Sequence, residues 1–256
     1  MSRKLVGIWI LVLVFFWGAG CQESKPQLTI AVAANLQFVM PQIIDDFQKE
    51  TGQSVDVITG SSGKLYAQIV NGAPYDVFLS ADTLFPSLLV AKGIGRPNWE
   101  VFAYGTLVLW SSDPFNESVD TLLWNYADTF TKIQRKWAMA NPEIAPYGLA
   151  SQQFLNNKGL FESMQLSMIK GESISQVNQF VYSKSVLFGF TSYSSVLAKK
   201  VDANLWKVIP RSEYAPIQQT SIMLKDSDNA KAFMEFLMGE KASNRLKSFG
   251  YVLPNS

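Results

Sequence analysis

Histidine is absent from the 256 residues. That removes the commonest general base and the commonest transition-metal side chain together. A single cysteine, Cys21, allows no internal disulfide and no thiolate metal cluster. Charge is sparse and balanced, 22 basic against 21 acidic side chains, so nothing indicates nucleic acid or a strongly charged partner surface. The apolar run Leu5 to Trp17 falls short of the about 20 residues a membrane span requires. No internal repeat is present. These absences leave little room for enzyme chemistry, a cation site or a cofactor, and none of the three is expected.

What is present begins with a targeting signal. Arg3 and Lys4 precede the apolar run, and Gly18-Ala19-Gly20 leads into Cys21. A small-residue cluster ending at the only cysteine resembles a bacterial lipoprotein signal, with Gly18 where that signal carries an aliphatic residue. Residues 1–20 are therefore expected to be a signal peptide and Cys21 a lipidation site. Residues 21–27 read as a polar tether, and the protein is expected outside the cytoplasm, anchored to a membrane. An uncleaved anchor and a soluble exported form are the alternatives.

Beyond the tether, strands and helices alternate. Leu28 to Ala34 reads as a strand, and Leu36, Val39, Met40, Ile43, Ile44 and Phe47 form a helical stripe closed by Gly52. Ser54 to Ile58 and Tyr75 to Ser80 read as further strands, with a helix over Leu65 to Val70 between them and Asp82 capping the next. This alternation predicts an α/β lobe with a largely parallel sheet. A second such run follows: strands over Gly105 to Trp110, Trp137 to Ala140 and Val186 to Phe190, and helices after Tyr147 and after Ser173. Ser173 and Gln176 have the spacing of a capping box. Trp124 is assigned to core. The late strand Gln218 to Leu224 and two short helices are too little for a third domain. The tail is therefore expected to return to the first lobe: residues 28–104 with 215–256 in one lobe, 105–214 in the other, two chain crossovers forming the hinge.

Gly60-Ser61-Ser62-Gly63-Lys64 stands between a strand and a helix. It admits a P-loop end, a Ser-x-x-Lys nucleophile pair, a helix N-cap, or a turn whose N–H groups face an anion. A P-loop requires Ser or Thr after the lysine, and Leu65 stands there. The companion motifs of a serine acyl-transferring enzyme using Ser61 and Lys64 are missing, which leaves that reading remote. N-cap and anion site remain open together. Asn35, Ser62, Tyr147 and Ser173-Ile174 all stand where helices start, two per lobe. Each helix N-terminus carries roughly +0.5 charge, so four converging ones would supply about +2, a match for a dianion.

The chain also resembles the molybdate/tungstate-binding proteins of ABC importers, on LTIAVAANL (Leu28 to Leu36), GSSGKLYAQI (Gly60 to Ile69), GAPYDVFLSAD (Gly72 to Asp82), ANPEIAPYGLA (Ala140 to Ala150) and GESISQVNQFV (Gly171 to Val181). The resemblance implies a type II periplasmic-binding-protein fold, two α/β lobes joined by a two-strand hinge with a ligand cleft between them. It implies a monomer that captures molybdate or tungstate and hands it to a membrane permease with its cytoplasmic ATPase. Carried over by position, it implies oxyanion contacts from Ala34 (backbone), Asn35 (side-chain amide), Ser61, Ser62, Tyr147 and Ile174 (backbone), with Ser173, Ser192 and Tyr193 as further candidates. Lys64 reads as a lobe-rim charge. The alternative within the binding class is a receptor for sulfate or another tetrahedral oxyanion.

Overall fold

The computed structural model describes residues 28–254 with the exception of residue 134. Signal, tether and Cys21 lie outside the described residues. Among the described residues no helix is long and apolar enough to cross a membrane.

Among the described residues ten strands form two five-stranded sheets. The first has the order β2 (Val55–Gly60), β1 (Leu28–Ala33), β3 (Val77–Ser80), β10 (Ile217–Met223), β4 (Glu100–Gly105). The second has the order β7 (Met168–Gly171), β6 (Trp137–Ala140), β8 (Phe188–Ser192), β5 (Leu107–Ser111), β9 (Trp206–Val208). In each sheet four strands run the same way and one, β10 in the first and β5 in the second, runs against them, so both are mixed yet largely parallel in strand direction, as expected. The reversed member is in each case the strand the chain enters on crossing over. The chain leaves the first sheet at Gly105 and enters the second at Leu107, with only Thr106 between, and returns between Val208 and Ile217. The predicted strand over Gly105 to Trp110 is β5 from Leu107 on, while Gly105 is the last residue of β4.

Among the described residues the sheets are covered by helices α1 (Met40–Thr51), α2 (Ser62–Val70), α3 (Leu84–Ala91), α4 (Val119–Ile133), α5 (Pro146–Asn157), α6 (Phe161–Met164), α7 (Ile174–Tyr182), α8 (Tyr193–Ala198), α9 (Asp228–Met238) and α10 (Glu240–Ser248). The apolar stripe from Leu36 to Phe47 is buried as expected, but its helix begins only at Met40. Pro41 explains the delay: it has no N–H and fits the first turn, where none is required. Residues Ala34–Leu36 form a separate 3-10 turn directly after β1. Gly52 closes α1 at φ 70, its N–H on the Gln48 carbonyl.

Apolar side chains fill both faces of each sheet. Phe47 meets Phe233 and Phe236 edge-on, tying α1 to α9. In the other lobe Trp137, Phe188, Phe190 and Phe154 stack and cross beneath α5. Trp110 and Trp137 are core, whereas Trp124 is 55% exposed and does not join it. It lies on the outer face of α4, where the helical period turns it away from Leu123 and Tyr126.

The returning tail is held by charge as well as packing. Arg245 of α10 donates from Nε and Nη2 to the two carboxylate oxygens of Asp46 on α1, at 2.7 and 3.1 Å. This forked bond, with lesser help from Lys241 and Lys49, holds the Asp46 carboxyl below its usual range. A depressed folded-state pKa contributes stability above the unfolded value of 3.8, lost as pH falls through the folded value. Arg245→Gln is therefore expected to lower the urea midpoint at pH 7 and to flatten its fall below about pH 4. Urea titrations at pH 7 and pH 3 check both.

Candidate functional site

The loops at the carboxyl ends of β1, β2, β3, β6 and β7 converge on one small cavity between the sheets, the position where open α/β sheets bind ligands. Ala34, Asn35, Ser61, Ser62, Tyr147, Ser173 and Ile174 all line it, with Ala33, Ala81, Ala145 and Pro146. Its volume is about 10 Å³, far below the about 300 Å³ and more that pockets for sugar- and peptide-sized ligands take. No Asp, Glu, Lys or Arg lines it.

Three full-length helices, α2, α5 and α7, start at this cavity, and none is capped by a side chain. Serines do cap elsewhere: Ser192 accepts from the Ser195 N–H at the start of α8, and Ser227 from the Ala230 N–H at the start of α9. Ser61 and Ser173 occupy the same structural position and cap nothing. The capping box expected from Ser173 and Gln176 is not formed. Gln176 Oε1 instead accepts from the Glu172 N–H at 2.7 Å, one residue earlier. First-turn N–H groups have no acceptor within their own helix; that of Gly63 donates to the Ile144 carbonyl and Pro146 has none, which leaves those of Ser62, Tyr147 and Ile174 at the cavity wall. Ala34 and Asn35 belong to a 3-10 turn of three residues, which adds N–H groups but little dipole. The field at the cavity is thus that of three helices, about +1.5.

The two serines of the β2–α2 turn differ. Ser62 Oγ accepts from the Ala81 N–H at 3.0 Å, which fixes its oxygen and leaves its proton to donate. Ser61 Oγ is buried with no hydrogen-bond partner, although Ser61 is only 4% exposed. Native proteins rarely leave such an atom unpaired. A hydroxyl at an N-cap position that neither caps nor bonds, on the wall of a cavity, is available to a ligand.

Asn35 and Tyr147 line the cavity in a different manner from the one expected. The Asn35 amide donates to Gln219 Oε1 at 2.6 Å and to the Tyr251 hydroxyl at 3.0 Å, so both its hydrogens are engaged. The Asn35 backbone carbonyl accepts from Tyr251 Oη at 2.8 Å and from Ser194 Oγ at 3.0 Å. The side chain is thus a strut to the hinge rather than an open donor, and what Asn35 offers the cavity is backbone. The Tyr147 hydroxyl lies against Gly105, where a Cβ would approach to 2.1 Å. Burial, reinforced by Tyr251 and Tyr214 and opposed by Arg211 and Asn35, pushes that phenol well above its usual range and keeps it neutral.

Ser192 and Tyr193 do not reach the cavity. Ser192 is consumed as the α8 cap and bonds Ser194 and Ser195, while Tyr193 packs against Trp206. Their place beside a strand end misled, because the β8–α8 turn faces the hinge. Lys64 sits at the rim, paired with Glu172 across the lobes at 3.1 Å. Asp82 accepts from Ser80 Oγ and the Phe85 N–H, the capping role expected of it. Gln219, Tyr251 and Ser194 were missed. Gln219 alone left a signal, a polar side chain inside a buried strand.

The chain matches the family described as "Bacterial extracellular solute-binding protein" over residues 28–252. The molybdate-binding protein ModA of Azotobacter vinelandii is 37% identical over 256 residues, covering 94% of this chain and 97% of the relative. The solved periplasmic molybdate-binding protein of Azotobacter vinelandii superposes with a TM-score of 0.77 at 34% identity, covering 89% of this chain and 100% of that one. A putative ABC transporter substrate-binding lipoprotein of Bacillus subtilis is 27% identical, covering 97% of this chain and 98% of the relative.

The two serines give opposite expectations for the ligand-free protein. Ser62→Ala strands the buried Ala81 N–H and should cost about 1–3 kcal/mol. Ser61→Ala removes an already unpartnered hydroxyl and should leave stability unchanged or higher. Urea unfolding of the two variants in ligand-free buffer measures the difference.

Proposed function

The chain belongs to the bacterial extracellular solute-binding proteins, and from that premise we propose that it captures molybdate or tungstate between its two lobes. It is a binding protein with a type II periplasmic-binding fold, not an enzyme. The observation that carries the ligand assignment is the donor set: uncapped helix starts, the Ser62 proton and the unpartnered Ser61 hydroxyl, with no ionised side chain on the cavity wall. Molybdate and tungstate are fully deprotonated at neutral pH and only accept hydrogen bonds. A protonated phosphate requires an acceptor for its own proton, and no carboxylate stands on the wall to supply one.

The lobes we propose are residues 28–104 with 215–256, and 105–214. The ligand contacts are the backbone N–H groups of Ala34, Asn35, Ser62, Tyr147 and Ile174 and the hydroxyls of Ser61 and Ser62, with Ser173 at the edge. The protein works outside the cytoplasm as a monomer and delivers its oxyanion to an ABC permease and its ATPase. The resemblance of residues 1–21 to a lipoprotein signal, and the lipoprotein among the relatives, support an anchor on Cys21. Sulfate has the same charge and the same hydrogen-bonding needs, so it is the competing ligand, and only the size of the cavity around the bound ion can discriminate between them. The Ser61–Lys64 enzyme reading finds no support, since Lys64 is turned to Glu172 and Ser61 Oγ has no base beside it.

Thermal unfolding with each oxyanion decides among these. Ligand at 1,000 times its Kd stabilises the folded state by about 4 kcal/mol. Molybdate and tungstate are expected to raise Tm strongly, and sulfate and phosphate weakly or not at all. A shift with sulfate and none with molybdate or tungstate overturns the assignment. Ser61→Ala and Ser62→Ala should each weaken molybdate binding by about tenfold or more, as expected for a hydrogen bond to a charged group worth about 1.5–3 kcal/mol.

A further inference from the structure

The residues proposed to contact the ligand are almost sealed: Ala34, Asn35, Ser61, Ser62, Tyr147 and Ile174 are each 5% exposed or less. An ion can enter only if the lobes part, so every contact that joins them over the cavity breaks and reforms in each cycle. On the side away from the hinge, three polar contacts do so. Gly63 N–H donates to the Ile144 carbonyl at 2.8 Å, Gln37 Nε2 to Ser175 Oγ at 2.7 Å, and Lys64 Nζ to Glu172 Oε2 at 3.1 Å.

They are not equivalent. The Lys64 and Glu172 side chains are 54% and 70% exposed, and exposed ion pairs of long side chains contribute little. The Gly63 bond joins two backbones at a buried position. Gly63 lies in the first turn of α2 with a φ outside the left-handed region, so the backbone there does not require glycine. Helix propensity favours alanine. The reason for glycine is space: a Cβ would stand 2.8 Å from Ile144 Cα, 2.9 Å from Ile144 Cβ and 2.9 Å from Phe85 Cζ. Phe85 belongs to the same lobe and its ring edge can move. Ile144 Cα is backbone of the opposite lobe and yields only if that lobe backs away.

We infer that Gly63 is the positioning residue that sets how far the lobes close, and with it how long the oxyanion is retained. This rests on the functional reading above. Its N–H is one of the uncapped donors of α2, yet it is spent on the opposite lobe instead of the ligand. One helix start thus serves binding through Ser62 and closure through Gly63. A side chain at 63 is harmless to the open protein and obstructs only the closed one.

Gly63→Ala tests this by isothermal titration, stopped-flow release and small-angle scattering, with whichever of molybdate, tungstate or sulfate binds the wild type best. The expected result is a Kd raised tenfold or more, mostly through faster release. Ligand-free Tm should be equal to or above wild type, and the radius of gyration at saturation larger than that of saturated wild type. Gly63→Ala combined with Phe85→Leu, which frees space in its own lobe, should keep the defect. Lys64→Gln should stay within about twofold of wild type, as an exposed pair predicts. Wild-type Kd, release rate and compaction in Gly63→Ala, or full rescue by Phe85→Leu, overturn the closure role while leaving the ligand assignment intact. A wild type that binds none of the three anions overturns the functional reading, and the closure role with it.

Discussion

Burying two negative charges without a positive side chain is the constraint on which the rest of the structure depends. An ionised group taken out of water loses solvation worth several kcal/mol even after relaxation, and only oriented dipoles and hydrogen-bond donors are available here to replace it. Helix starts are the densest source of such donors, because three or four N–H groups point the same way. A strand-turn-helix repeat places one helix start at every parallel strand end. Two such sheets face to face place starts from both lobes around a single point. The fold, the balanced charge and the missing histidine are consistent with one another once the ligand is taken to be an oxyanion recognised by neutral donors.

The same constraint explains the polar side chains behind the site. Asn35, Gln219, Tyr251 and Ser194 are all buried, and each is bonded to at least one other of the group. Asn35 belongs to the first-lobe turn that offers N–H groups to the cavity, and Ser194 to the α8 start beside the hinge. The network therefore fixes the donor turn relative to the hinge. A partly satisfied buried network would be costly, and this one is well paired, in contrast to the unpartnered Ser61 hydroxyl on the wall of the same cavity. The contrast is informative: where the protein needs rigidity its polar atoms are paired, and where it needs a ligand one is left over.

How much of this was legible in the sequence varies with the kind of physics involved. Periodicity located α1, and strand–turn–helix alternation located the loops that line the cavity, because those signals are local. The strand directions at the crossovers were not legible: β4, β5, β9 and β10 pair over long separations, and nothing near Thr106 states that one residue separates two sheets. The roles of Asn35 and Tyr147 were also out of reach. Both are at the cavity, but their side chains answer to Gln219, Tyr251 and Gly105, which are distant in sequence. Ser173 with Gln176 shows the opposite failure. A local motif was present, and the side chain that should have capped was left to the cavity.

A site made of neutral donors has a consequence for release. The only ionisable side chain on the wall is Tyr147, whose phenol is held well above its usual range, so no lining group changes charge near neutral pH. Protonation of a lining side chain is therefore not a trigger for release. What remains is mechanical: the lobes must separate, and the contacts that hold them together set the barrier. A backbone bond formed against a glycine suits that task, since its geometry is rigid, it reports the closed state without side-chain freedom, and it is lost as soon as the lobes move apart. For a protein that must hold its ion in solution and surrender it at a membrane, control of affinity through lobe contact lets a partner that pulls on the lobes empty the site without touching the ligand.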